Sequence, residues 1–161
     1  MGMMLEPLLN NYQEEVAQKL IANYQYVLNQ PIEVENTQAE KCQIYSLKTI
    51  TDDNYSEEIS IYGIEENSRY LNFVIPENEV VISKGYSEKY LINIGDVIEL
   101  SEKYSDKKYK FKVGGIYDYP ASLSVFINRN MFNDIFDKTE DYFNSYFSNE
   151  KLEELYIYYQ N

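Results

Sequence analysis

Between residues 109 and 117 the chain alternates: Tyr109, Phe111 and Val113 fall on one parity, Lys110 and Lys112 on the other. Side chains of an extended strand point to opposite faces in turn, so this run sets apolar groups against a core and ammonium groups in water. A helix would scatter the same two sets around its circumference. The chain must therefore build a sheet with one covered and one wet face. Gly114-Gly115 interrupts the run before Ile116 and Tyr117, as glycine pairs do at bulges and bends.

Other strand signals surround this one. Gln43 to Thr51 is rich in β-branched and aromatic residues, Asp52-Asp53-Asn54 is a turn cluster, and Glu58 to Ile64 alternates, which predicts a hairpin. Tyr70 to Ile75 is a short apolar piece ended by Pro76. Glu79 to Ile82, Val97 to Leu100 and Ser124 to Ile127 read as short strands. Asn93-Ile94-Gly95-Asp96 reads as a turn, with Gly95 at its positive-φ position and Asp96 closing it. Ser105 to Lys108 is a charged turn.

Helical spacing is sparser. Leu8, Tyr12, Val16, Leu20 and Tyr24 recur every fourth residue after Pro7, which predicts an amphipathic N-terminal helix. Ser83 is placed to cap a small helix reaching Tyr90, and Asn128 one that carries Met131, Phe132, Ile135 and Phe136. Ser148 to Lys151 reads as the opening of a last short helix with Leu152 and Leu155, before a strand-like run from Tyr156 to Tyr159. The expected fold is α+β: mostly antiparallel small sheets, short helices and one long N-terminal amphipathic helix. Its widest subdivision is two lobes, residues 3–64 plus 120–161 and an inserted 65–119.

At 161 residues the chain is one domain, long enough to bury roughly 70% of its unfolded surface. It carries 27 acidic and 14 basic residues, a net charge of −13, so a phosphate backbone or an anionic lipid surface repels it. Its single cysteine, Cys42, allows no internal disulfide and reads as a small core residue. There is no histidine. The commonest general base, metal ligand and physiological pH switch are therefore missing, and an enzyme is not expected. No stretch approaches the ~18 apolar residues of a membrane helix. Met1 to Pro7 lacks the features of a signal peptide. Met1-Gly2 has the look of a vector-derived start and Tyr156 to Asn161 ends without a closing turn, so the chain reads as an excised piece.

The block from Glu79 to Leu100 runs strand, short helix, Gly95-Asp96 turn, strand. A second block follows: Phe111-Lys112-Val113-Gly114-Gly115-Ile116-Tyr117, then Ser124 to Ile127, then a helix from Asn130 to Phe136. In order and spacing these blocks resemble the extracytoplasmic domain of FtsX/MacB-like ABC transporter permeases. The resemblance covers residues 79–136 and is weak before residue 43. It implies that residues 3–161 are a single extracytoplasmic domain of a larger bacterial membrane protein, at the extracellular face of the cell membrane. It implies two kinds of partner: the parent transmembrane helices with a separate ABC ATPase subunit, and an extracellular protein, peptide or lipid-linked ligand. Nucleic acid is not among them. ATP chemistry belongs to that separate subunit, so the resemblance assigns no cofactor and no catalytic residue here.

Candidate sites in the residues themselves are few. Asp52, Asp53 and Asn54 with Glu57 and Glu58 lack the spacing and glycine of a calcium loop, and like Asp137, Glu140 and Asp141 they read as solvated. The 18 tyrosines are the more informative set. Most fall on apolar faces. Tyr117, Tyr119, Tyr142 and Tyr146, with Tyr156, Tyr158 and Tyr159, are the candidates for an exposed partner-contact surface, since tyrosine joins a rigid apolar body to a polar tip. The alternative reading of such a surface is a secreted or cell-surface module that binds carbohydrate or protein. A hydrolase using two facing carboxylates is a third.

Overall fold

The computed structural model describes residues 22, 24–28, 32–51, 55–66, 68–71 and 73–152. In chain order the elements are β1 (Tyr24–Val27), β2 (Glu40–Thr49), β3 (Glu58–Ile64), β4 (Val80–Ser83), α1 (Lys84–Tyr90), β5 (Val97–Glu102), β6 (Lys108–Tyr117), β7 (Ser124–Asn128), α2 (Arg129–Ile135) and β8 (Ser145–Ser148). The strands form one mixed sheet in the order β1-β8-β2-β3-β7-β4-β6-β5, and β5 pairs again with β2. That last pairing matches Thr49 to Leu100 and Leu47 to Glu102 and closes six strands into a ring. Closure satisfies backbone groups that an open sheet would leave at its edges.

The expected mostly antiparallel small sheets are corrected here. One eight-stranded sheet joins the chain, and β3–β7 and β4–β6 are parallel. The reason is in the burial. β3, β4 and β7 bury both faces: Ile59, Ile61, Val80, Ile82, Val125 and Ile127 point into the ring, while Tyr62, Val81 and Phe126 point outward beneath a second apolar cluster. Strands covered on both sides can pair in parallel; β6 joins β4 in parallel only from Val113 on, and its wet stretch with Lys110 and Lys112 pairs antiparallel with β5. No long N-terminal helix stands among the described elements. Most of residues 8–24 lies outside the described residues, and Tyr24 opens β1 instead of closing a helical stripe.

β4 hydrogen-bonds to β7 and β5 to β2, so residues 65–119 and their flanks share this sheet. β6 carries a register shift where Val80 pairs with Val113 and Val81 with Gly115, which leaves Gly114 as the extra residue. α1 contributes Tyr86, and α2 contributes Phe132 and Phe136, to the ring interior. Neither capping residue uses its side chain as a cap. The Ser83 hydroxyl instead accepts the Ser124 N–H at 3.0 Å, and the Asn128 amide donates to the Ile75 carbonyl at 3.4 Å. Ser148 ends β8 and opens no described helix; its hydroxyl donates to the Glu150 carbonyl at 2.6 Å and accepts the Glu150 N–H at 3.0 Å. Leu152 is buried, and residues 153–161, with Leu155 and the run from Tyr156, lie outside the described residues.

Candidate interaction surface

The chain enters and leaves the sheet at one pole. Tyr24 pairs with Ser148, and Glu40 at the start of β2 pairs with Phe147. β2 then runs ten residues to Thr49, about 30 Å at ~3.3 Å per residue. Thr49 pairs with Leu100 of the antiparallel β5, so Val97 lies beyond the far end of β2.

At that far pole the segment 91–97 exposes three apolar side chains, Leu91 at 83%, Ile94 at 63% and Val97 at 63%. Local bonding sets their direction. Leu91 ends α1 in the left-handed region at φ 55°, a conformation usually left to glycine or asparagine. The Ile92 N–H donates to the Ser87 carbonyl at 2.9 Å and the Ser87 hydroxyl donates to the Ile92 carbonyl at 2.6 Å. Ile92 thus turns inward against the ring interior, and its neighbours turn out. Gly95 follows at φ 98°. The Asp96 carboxylate accepts the Asn93 N–H at 2.8 Å, and the Asp96 N–H donates to the Asn93 carbonyl at 3.0 Å. Gly95 N–H to the Val113 carbonyl and Val113 N–H to the Asp96 carbonyl, both 2.8 Å, fasten the turn to β6.

Ile50 and Tyr55, after the end of β2, are also exposed. The Thr49 N–H donates to the Glu57 carbonyl at 2.9 Å, and the Glu57 carboxylate takes the Lys89 ammonium at 2.7 Å and the Tyr90 hydroxyl at 2.5 Å. The Lys89 ammonium, and then the Tyr90 hydroxyl, hold the Glu57 carboxyl below its usual range. Glu58 is likewise lowered, by Lys103 first and Ser46 second. The two described carboxylates of that acidic stretch, Glu57 and Glu58, are therefore in ion pairs, while residues 52–54 lie outside the described residues. Asp137, Glu140 and Asp141 are exposed, and among the described residues no group of three His, Cys, Asp or Glu is placed to hold a metal.

The four tyrosines expected at a contact surface form no common surface: Tyr117 and Tyr119 pack together on Phe126 in the second apolar cluster, Tyr142 packs against the ring interior and Tyr146 lies in a third cluster. Tyr119 is 4% exposed and its hydroxyl donates to the Gln25 side-chain carbonyl at 3.2 Å. Tyr146 is 1% exposed; its hydroxyl donates to the Ile32 carbonyl at 2.7 Å and accepts the Val34 N–H at 3.3 Å. Tyr117 is half-buried with its ring 4.4 Å from that of Phe73, and Tyr142 is half-buried under the Lys138 ammonium. Burial pushes the phenols of Tyr117, Tyr119 and Tyr142 up. Tyr156, Tyr158 and Tyr159 lie outside the described residues.

A second, half-buried tyrosine group is structural. Tyr45 and Tyr109 both donate to Glu102, at 2.7 Å each, with Phe136 against both rings. Loss of water, and then the Glu102 contact, push Tyr45 up to about 12 and Tyr109 up as well. Cys42 is buried in the second cluster, and burial pushes its thiol up to about 12. That thiol is no nucleophile.

The residues missed in the sequence are Leu91, Ile94 and Val97. The signal was there: three apolar residues flank a turn whose polar members, Asn93 and Asp96, are engaged with each other.

No family model and no curated protein sequence matches the chain. Among solved structures it is similar to the extracellular domain of the noncanonic ABC-type transporter YknZ from Gram-positive bacteria, at 17% identity and a TM-score of 0.49, over 75% of this chain and 69% of that one.

Proposed function

We propose that this chain is an extracytoplasmic domain of an FtsX/MacB-like ABC transporter permease that works by contact and movement and performs no bond chemistry. The observation that carries the reading is polarity. The chain enters the sheet at Tyr24 and leaves it at Ser148 side by side, as suits a domain held between two membrane helices. The exposed apolar turn at Leu91, Ile94 and Val97 lies at the opposite pole, where a partner outside the membrane is reached. The two sequence blocks behind the resemblance fall on the ring: the first supplies β4, α1 and β5, the second β6, β7 and α2. A chain without histidine supports a role free of acid–base catalysis. On this reading the membrane helices transmit ATP-driven motion from a separate ATPase subunit to the domain.

The test is the natural reading frame. It is expected to encode an apolar span immediately before residue 3 and another downstream of residue 161, beside a gene for an ATPase. Soluble sequence on both sides ends the idea.

A further inference from the structure

The eight-stranded sheet divides within β2. Residues 40–42 pair with β8, which carries β1. Residues 43–48 pair with β3, and 47–49 with β5, inside the closed ring. Apolar packing divides in the same place. Tyr26, Leu28, Phe143, Tyr146 and Leu152 form a cluster of their own, separate from the ring interior. Phe147 and Cys42 meet the ring's outer face at Tyr62, Val81 and Phe126.

Asn144 spans the division with every polar group it has. Its side-chain oxygen accepts the Ile44 N–H at 2.8 Å and its side-chain amide donates to the Ile44 carbonyl at 2.9 Å, as a peptide unit of a paired strand would. Its backbone N–H donates to the Cys42 carbonyl at 3.2 Å and its carbonyl accepts the Leu28 N–H at 2.8 Å. The next residue into the ring is less well served. Gln43 is fully buried; its amide donates to the Tyr142 carbonyl at 2.7 Å, but its side-chain oxygen has no hydrogen-bond partner. An unanswered buried acceptor marks the junction as weaker than the sheets on either side.

The direction of load completes the argument. Tyr24–Ser148 is the outermost pair of the β1–β8 ladder. Beyond it the chain folds back, the Asn149 N–H donating to the Tyr70 hydroxyl at 3.2 Å and the Leu152 N–H to the Tyr26 hydroxyl at 3.0 Å. Drawing apart the segments that lead into Tyr24 and out of Leu152 therefore loads those bonds first, then the Tyr24–Ser148 pair, then the next, and the ladder unzips bond by bond. The ring offers no such open end. We propose that β1 and β8 form a separately opening unit, latched to the closed ring by Asn144, that yields when the chain's entry and exit are pulled apart. Its use in relaying membrane motion rests on the permease reading; the opening itself does not.

Native-state hydrogen exchange on the full chain in rising urea tests this. Amides of β1 and β8 are expected to exchange through an opening of weaker urea dependence than that of β3 and β7. Asn144→Ala is expected to speed β1 and β8 exchange roughly ten- to a hundred-fold. Because the latch is lost from the native state alone, β3 and β7, which exchange through global unfolding, are expected to speed by the same factor, leaving the gap between the two openings unchanged. Asn144→Asp, which keeps the acceptor for Ile44 and loses the donor, is expected to fall between. A single opening shared by all four strands in the wild-type chain overturns the proposal, as does an Asn144→Ala chain in which β1 and β8 exchange at the wild-type rate or in which β3 and β7 speed more than β1 and β8. If neither variant folds, the wild-type measurement decides alone. Failure here leaves the permease reading standing, because that reading is decided by the reading frame.

Discussion

Leu91 combines two unfavourable features, a left-handed backbone and an apolar side chain in water. For a residue with a Cβ that conformation costs on the order of 1 kcal/mol. Hydration of the exposed side chain adds no compensating stability, so the residue is better explained by contact than by folding. Leu91→Gly should therefore leave chemical stability unchanged or raise it by up to about 1 kcal/mol, since glycine adopts the same φ without strain but loses more chain entropy. A loss of more than about 1 kcal/mol in urea unfolding would mean that Leu91 packs in the free domain. Tyr119 and Tyr146 teach the opposite lesson. A tyrosine ring suits a core or a surface equally, and the choice depends on whether a distant group receives the hydroxyl. For Tyr146 that group is the Ile32 carbonyl, 114 residues away in the chain. Nothing local in the sequence announces such a partner.

Periodicity made individual elements readable and left their partners open. Alternation located β3 and β6, and glycine placed the Gly95 turn and the irregularity in β6, because each is a matter of nearest neighbours. The parallel pairs and the closure of β2 on β5 join strands separated by whole elements, and no local pattern encodes them. A trace of the parallel pairing was nonetheless present: Val80-Val81-Ile82 and Val125-Phe126-Ile127 are apolar without a break, as strands covered on both faces are. The seating of α2 on β3 depends on Gly63. A methyl group there would lie 2.6 Å from the Gln43 side-chain oxygen and 2.9 Å from the Phe132 ring. Gln43 can shift its end, but the fully buried Phe132 ring cannot yield without moving the helix. Gly63→Ala should cost about 1–3 kcal/mol by equilibrium unfolding. Wild-type stability would show that the helix stands off the sheet.

Across the whole molecule, 27 acids repel one another against only 14 bases. The ion pairs are surface contacts of small value, so screening should relieve more repulsion than attraction. The melting temperature at pH 7 is expected to rise by a few degrees between about 10 and 300 mM salt, by scanning calorimetry. A fall would mean that pairs such as Lys89–Glu57 outweigh the net charge. Acid acts through the same residues. Glu57 and Glu58 have folded pKa values lowered from 4.5, so their contribution is complete above that value and disappears as the pH drops through the lower folded ones.

Cys42 sits where the terminal strands meet the ring, paired with Ser145 and sealed from solvent. A maleimide or disulfide reagent can touch its sulfur only during the moments when β8 lifts away. The labelling rate of Cys42 therefore times the lifting of β8.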